Sequence, residues 1–356
     1  MTVDAGEASV VAGEQRPVGR STGSAGPAPP QTPRHRLYRR GATRWLRRFG
    51  ALAALVILFA VTAGLNSNFA TQSSIYLLLQ GFCLSTALIG VGQTLVILTG
   101  GIDLSVGALL AVGSALTGTL VGANVALPLA MALPIIVTTA LGALSGGIIA
   151  TARIQPIVVT LAMMIAVRGL AQLVAGDATL RLNNDAFNAI ATTRVGLLPW
   201  LDPVPVFLLL TALVYGVAAL FLARTALGRY VFAVGGNERA VVLSGVAAGR
   251  VKVLVYAVSG LLAGATGVLY ASYNATADPF NDGTFFELTS IAAVVVGGTS
   301  LLGGVGGVWR TLVGGLILTV LFALLIQIGW PTQTQLIAQG LIIAGAVILQ
   351  GGGEER

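Results

Sequence analysis

Long apolar runs alternate along this chain with short polar or glycine-bearing stretches. The runs approach the length that crosses a bilayer, about 20 residues. They fall at 49–65, 75–98, 104–122, 128–150, 156–175, 205–223, 252–273, 286–300, 307–328 and 334–350. The expected fold is all-α: a polytopic membrane protein of about ten transmembrane helices, some broken or re-entrant. The break that matters most lies in 92–107, GQTLVILTGGIDLSVG. An apolar helix runs to Leu98, stops at Thr99-Gly100-Gly101 and restarts behind Asp103. Two glycines there free backbone groups that hydrocarbon cannot satisfy, so the break belongs inside protein or beside a watery cavity. Val296-Gly297-Gly298-Thr299-Ser300-Leu301 echoes the stretch from Leu98 to Leu104 in the second half. Paired broken helices are the usual trace of a transporter built from repeats, with a path between them. Gly100, Gly101, Asp103, Ser105, Gly297, Gly298 and Thr299 are therefore path candidates.

Composition agrees with the pattern. Hydrophobic residues make up 55% and charged residues 9%, against about 25% charged in a soluble domain; mean hydropathy is +0.88. Forty-seven glycines suit close helix packing in lipid. The net charge is +7, and nine arginines against three acids in the first 48 residues supply most of it. That location favours a tail that orients the protein or touches headgroups over one that binds nucleic acid. Residues 1–48 read as a disordered basic cytoplasmic tail, and 49–356 as a transmembrane domain with a cytoplasmic loop at 224–251. No small-residue cleavage site follows the first apolar run, which is kept as a span.

Charge also sets orientation. With the N-terminus inside, ten spans place 34–48, 151–155, 224–251, 301–310 and the C-terminus in the cytoplasm. With Lys252 those regions hold 15 of the basic residues. The outer loops hold only Arg181 and Arg194, while Asp177, Asp185, Asp202, Asp278 and Asp282 gather there. That is a positive-inside distribution. The long outer loop 176–204 has room for a short structured segment.

Several chemistries are excluded. There is no GxxxxGK[ST] phosphate loop. One histidine, His35, and one cysteine, Cys83, cannot make a His/Cys metal site. Cys83 reads as a small packed apolar residue. The few carboxylates lie mostly in loops, so the chain is not a hydrolase, and ATP-driven work would come from another chain.

Two residues carry charge into apolar runs. Asp103 has two compatible readings: an N-cap accepting orphan N–H groups of the next helix, or a group beside a path or gate. Arg168 is costly in lipid and should snorkel outward toward Asp177 or line an external mouth. The loop 228–252, GRYVFAVGGNERAVVLSGVAAGRVK, has Gly235-Gly236-Asn237 as a turn. Asn237 can cap a short helix over 238–243 that ends near Gly245. By its residues, this helix is either a solvated connector or a surface that takes force from a docked protein.

Four ordered stretches resemble the permeases of ribose-, xylose- and arabinose-type sugar importers of the ATP-binding-cassette class. They are GQTLVILTGGIDLSVG, IQPIVVTLAMMIAVRGLA, GRYVFAVGGNERAVVLSGV and ELTSIAAVVVGGTSLLGGVGGV. The resemblance implies a pore subunit paired with a second copy or close relative. It implies two ATPase subunits, or one fused two-cassette ATPase, carrying ATP and Mg, and an extracellular sugar-binding protein. This chain would bind no cofactor itself. It would work by alternating access. The ATPase-coupling element would comprise Gly235, Gly236, Asn237, Glu238, Arg239, Ala240, Ser244 and Gly245. Here Arg239 replaces an alanine of the EAA-x3-G pattern and the glycine comes one residue later. Branched-chain amino acid, autoinducer, inositol and nucleoside cargoes stay open. So does an ion-coupled secondary transporter, for which Asp103 and Glu287 are the near candidates.

Overall fold

The computed structural model describes residues 36–176, 178–196 and 203–351. The chain divides into two compact units, Met1–Trp45 and Leu46–Arg356. The tail 1–35, Asp177, Asp202 and 352–356 lie outside the described residues. Helix α1, Arg36–Leu65, begins in the first unit, ahead of the expected start at 49. The second unit continues with α2 (Gln72–Phe82), a π-helical turn at Cys83–Ala87, and α3 (Leu88–Leu98), forming one rod. Then come α4 (Val106–Gly122), α5 (Leu127–Ala152), α6 (Pro156–Ala175), α7 (Asp185–Thr192), α8 (Val206–Arg224) and α9 (Ala226–Leu243). The chain closes with α10 (Ala248–Asn274), α11 (Phe286–Val296), α12 (Val308–Gln327) and α13 (Thr332–Gly351). Two-residue strands pair antiparallel in the loops: β1 (Leu180–Arg181) with β4 (Thr276–Ala277), and β2 (Arg194–Val195) with β3 (Val204–Pro205).

Among the described residues, six helices are long and apolar enough to cross a membrane, and the rod Gln72–Leu98 is the most buried of them. Its apolar window is 89% buried, against 22% for α5 and α6, so the rod is interior and those two present side chains outward. Leu129, Ile136, Leu144 and Ile165 are among the exposed residues of α5 and α6, the surface that a bilayer covers. At the centre α10 packs against α3, α4 and α5. Gly142 of α5 and Gly260 of α10 let the two backbones touch: a Cβ on either would strike the other helix. Small residues at a crossing are how membrane helices approach closely without a hydrophobic driving force.

The expected spans all have a helical counterpart, with one substantive correction. The run 286–300 is not a span. Its helix stops at Val296, and eleven residues reach only about 16 Å, half a bilayer core of about 30 Å. The last four residues of the expected run, Gly297-Gly298-Thr299-Ser300, belong to the break and not to the helix. The loop 176–204 does hold a structured segment, α7, which Asn184 caps by accepting the Phe187 N–H.

Candidate functional site

Both expected helix breaks are closed by the same backbone device. At the end of α3, Gly101 N–H donates to Val96 O at 3.2 Å and Gly100 N–H to Ile97 O at 2.8 Å. At the end of α11, Thr299 N–H donates to Val294 O at 3.1 Å and Gly298 N–H to Val295 O at 2.9 Å. These are paired Schellman closures, which need a left-handed residue; Gly100 (φ +78°) and Gly298 (φ +89°) supply it. Each break thus ends with its last carbonyls satisfied, so it tolerates an apolar interior.

Beyond the first break, Ile102–Leu104 is pinned to two neighbouring helices. Asp103 is fully buried. One carboxylate oxygen accepts Ser105 N–H (2.9 Å) and Ser105 Oγ–H (2.6 Å); the other accepts Ser259 Oγ–H of α10 (2.8 Å). The N-cap expectation needs correction, because Ser105 takes the cap position of α4 and Asp103 lies two residues before it. The non-helical connection is longer than the sequence suggests, and the carboxylate ties α4's entry to α10. Thr160 Oγ–H of α6 donates to Ile102 O at 3.2 Å. Beyond the second break, Thr299 is buried and its Oγ accepts Gly307 N–H at 3.3 Å. Arg310 donates to Gly298 O at 2.9 Å.

Helix α9 lies against the first break and against the loop that follows α11. It runs unbroken through Gly235 and Gly236, so the expected turn there reduces to one residue: Asn237, at φ −161°, ψ 93°. The glycines serve contact instead of turning. A Cβ at Gly235 would collide with Leu98 O and Gly304 N, while Gly304 N–H itself donates to Leu98 O at 3.0 Å. Gly303 packs on Gly100 and Gly235. Three backbones therefore meet: the end of α3, the loop after α11, and α9. The short second part of α9 follows sequence logic closely. Asn237 Oδ1 accepts the Ala240 N–H at 3.0 Å, and Gly245 (φ +83°) closes the end with a third Schellman pair. Glu238 forms an ion pair with Lys252 of α10 at 2.6 Å. Asn237, Glu238, Arg239, Ala240, Ser244 and Gly245 are exposed, as are Val242 and Leu243.

Arg168 is not part of this junction. It sits on α6 beyond Thr160 and donates to Asp282 O at 2.7 Å and Pro279 O at 3.2 Å. The Asp282 carboxylate accepts Ser114 Oγ–H of α4 at 2.6 Å and Asp278 N–H at 3.0 Å. Asp278 is half-buried. Burial pushes its pKa up, but hydrogen bonds from Asn281 and from the Phe280 and Asn281 N–H groups hold the carboxyl below its ordinary value. These contacts lock the loop that leads into α11. The expected outward partner, Asp177, lies outside the described residues.

Residues 67–347 match the family described as "Branched-chain amino acid transport system / permease component". The chain belongs to that permease family. The permease is 38% identical over 312 residues to the ribose import permease protein of Escherichia coli, covering 86% of this chain and 94% of that one. It is 37% identical to the ribose import permease protein of Bacillus subtilis, covering 85% and 92%. It is 33% identical to the L-arabinose ABC transporter permease protein of Azospirillum brasilense, covering 87% and 89%. No solved structure matches it.

Sequence reasoning found the glycines of both breaks and the cap of α9 in the permease. It missed Ser259, Ser114 and Gly304, the partners that hold these parts together. Each is distant in sequence from its contact, and a lone serine or glycine in an apolar run gives no signal of pairing.

Proposed function

We propose that this permease is the membrane subunit of an ATP-binding-cassette importer in a bacterial cytoplasmic membrane, its N-terminus cytoplasmic. It passes a ribose-type monosaccharide delivered by an extracellular binding protein. The observation that carries the proposal is the match to sugar permeases over most of both chains. The junction beneath α9 supplies a mechanism. A docked ATPase pair that closes on ATP would push on the exposed 237–245 segment. Gly235 would transmit that displacement to the end of α3 and to Gly304 in the loop after α11 through backbone, which cannot yield as a side chain can. The end of α3 and that loop, resting on one lever, would form an element that ATP and loaded binding protein can bias in opposite directions. A second permease copy or close relative would complete the pore, and ATP and Mg would belong to the ATPase chains.

The family's printed description favours a second reading, a branched-chain amino acid as cargo. Labelled ribose and labelled leucine offered to the reconstituted complex separate the two. The importer reading is tested by ATP hydrolysis of the ATPase partner with this permease in nanodiscs, with and without sugar-loaded binding protein. Stimulation that falls several-fold in the variant Glu238→Ala, Arg239→Ala supports it. Hydrolysis indifferent to the loaded binding protein would contradict it.

A further inference from the structure

A groove of about 550 Å³ runs between α2, the π turn, α11 and α12. We propose that it is one wall of the monosaccharide passage, a proposal that rests on the importer reading above. Its size lies within the range of small-molecule sites. No lining residue carries a charge, which suits a neutral polyol better than a zwitterion, whose charges would lie unpaired. Hydroxyls occur at several depths: Thr289 on α11, Thr319 on α12, and Ser85 and Thr86 on the π turn. Three of them already donate within their own helices: Ser85 to Gly81 O, Thr289 to Phe285 O and Thr319 to Gly315 O. Thr289 Oγ also accepts from Gln339 Nε2 at 2.7 Å, and Ser85 Oγ lies 3.2 Å from Thr86 Oγ; Thr319 keeps the most room to accept from a passing sugar's hydroxyls. Phe286 and Phe322 add aromatic lining for the apolar C–H faces of a pyranose or furanose ring.

Two further observations point to function at this groove instead of plain lipid contact. The π turn Cys83–Ala87 lies at its floor, and such turns concentrate at functional sites. The groove also shares α11 with the second break. Thr289 lies about 13 Å along the helix from Gly298, and α12 is pressed against the same end, where a Cβ on Gly314 would strike Ala293 O and Gly297 N. Gly304, which α9 touches, lies in the loop joining α11 to α12, so a displacement of α9 bears on the segment that connects the two helices lining the groove.

The test is ATP-driven uptake of labelled D-ribose, L-arabinose and D-allose by proteoliposomes holding the permease, its ATPase and loaded binding protein. Thr319→Trp should lower uptake at least about tenfold, and isosteric Thr319→Val about two- to tenfold, the worth of one hydrogen bond. Thr319→Ser should restore it. Leu213→Trp, on an exposed position of α8, should leave uptake unchanged. Size-exclusion chromatography of each complex reports assembly. Normal uptake by both Thr319→Trp and Thr319→Val overturns the proposal in favour of a lipid-facing groove. Loss of assembly with Thr319→Trp, together with normal uptake by Thr319→Val, overturns it in favour of a seam between permease copies. Should the wild-type complex take up none of the three sugars, the importer reading itself falls, and the groove assignment with it.

Discussion

Single residues fix the geometry of the breaks. Asp103 accepts three hydrogen bonds at a fully buried site. Asp103→Ala strands those donors, and each unsatisfied buried group costs about 1–3 kcal/mol. Thermal unfolding in detergent should show a clear drop for Asp103→Ala and a smaller one for Asp103→Asn, which keeps an acceptor. Gly298 offers a purely conformational probe, because a Cβ there meets nothing within 4 Å. Gly298→Ala should destabilise by about 1–2 kcal/mol, the cost of a left-handed non-glycine residue; the same unfolding assay reads it, and an unchanged midpoint would contradict the Schellman assignment. The residues governed by local rules were legible in the sequence. Gly100, Gly298, Asn237 and Gly245 each act within five residues of themselves. Ser259 and Ser114 act across the fold, and nothing in their neighbourhoods announces it.

At the scale of elements, α9 and α11 matter more than the full-length spans. Apolar runs marked the helices, yet hydropathy could not separate the half-helix Phe286–Val296 from a crossing one, nor show the π turn inside the second span. Both depend on hydrogen-bond pattern, which residue polarity does not encode. The contact of α9 with the end of α3 and the loop after α11 was likewise invisible, since Gly235 reads as a turn until its neighbours are known. Gly235→Ala forces α9 away from Leu98 and Gly304. The expected outcome is ATP hydrolysis that persists while sugar uptake falls about tenfold. Unchanged uptake per ATP would show that the junction transmits nothing. At the other end, Arg168→Met removes the donors to Asp282 O and Pro279 O. Hydrogen exchange over 278–286 should quicken there, with exchange in α9 unaffected.

At the scale of the whole molecule, two locked regions flank a largely apolar groove set with a few hydroxyls. The α9 junction holds the end of α3 and the loop after α11, and the Arg168–Asp282–Ser114 contacts hold the loop entering α11. Asp103 is engaged with Ser105 and Ser259; under the proposed importer reading the work comes from an ATPase partner. The most direct test is uptake of labelled ribose into proteoliposomes containing the permease, its ATPase and loaded binding protein. The account predicts uptake only with ATP and binding protein together, and its loss in Glu238→Ala, Arg239→Ala. Uptake driven by an ion gradient without ATP would contradict it and return Asp103 and Glu287 to consideration as ion-site residues.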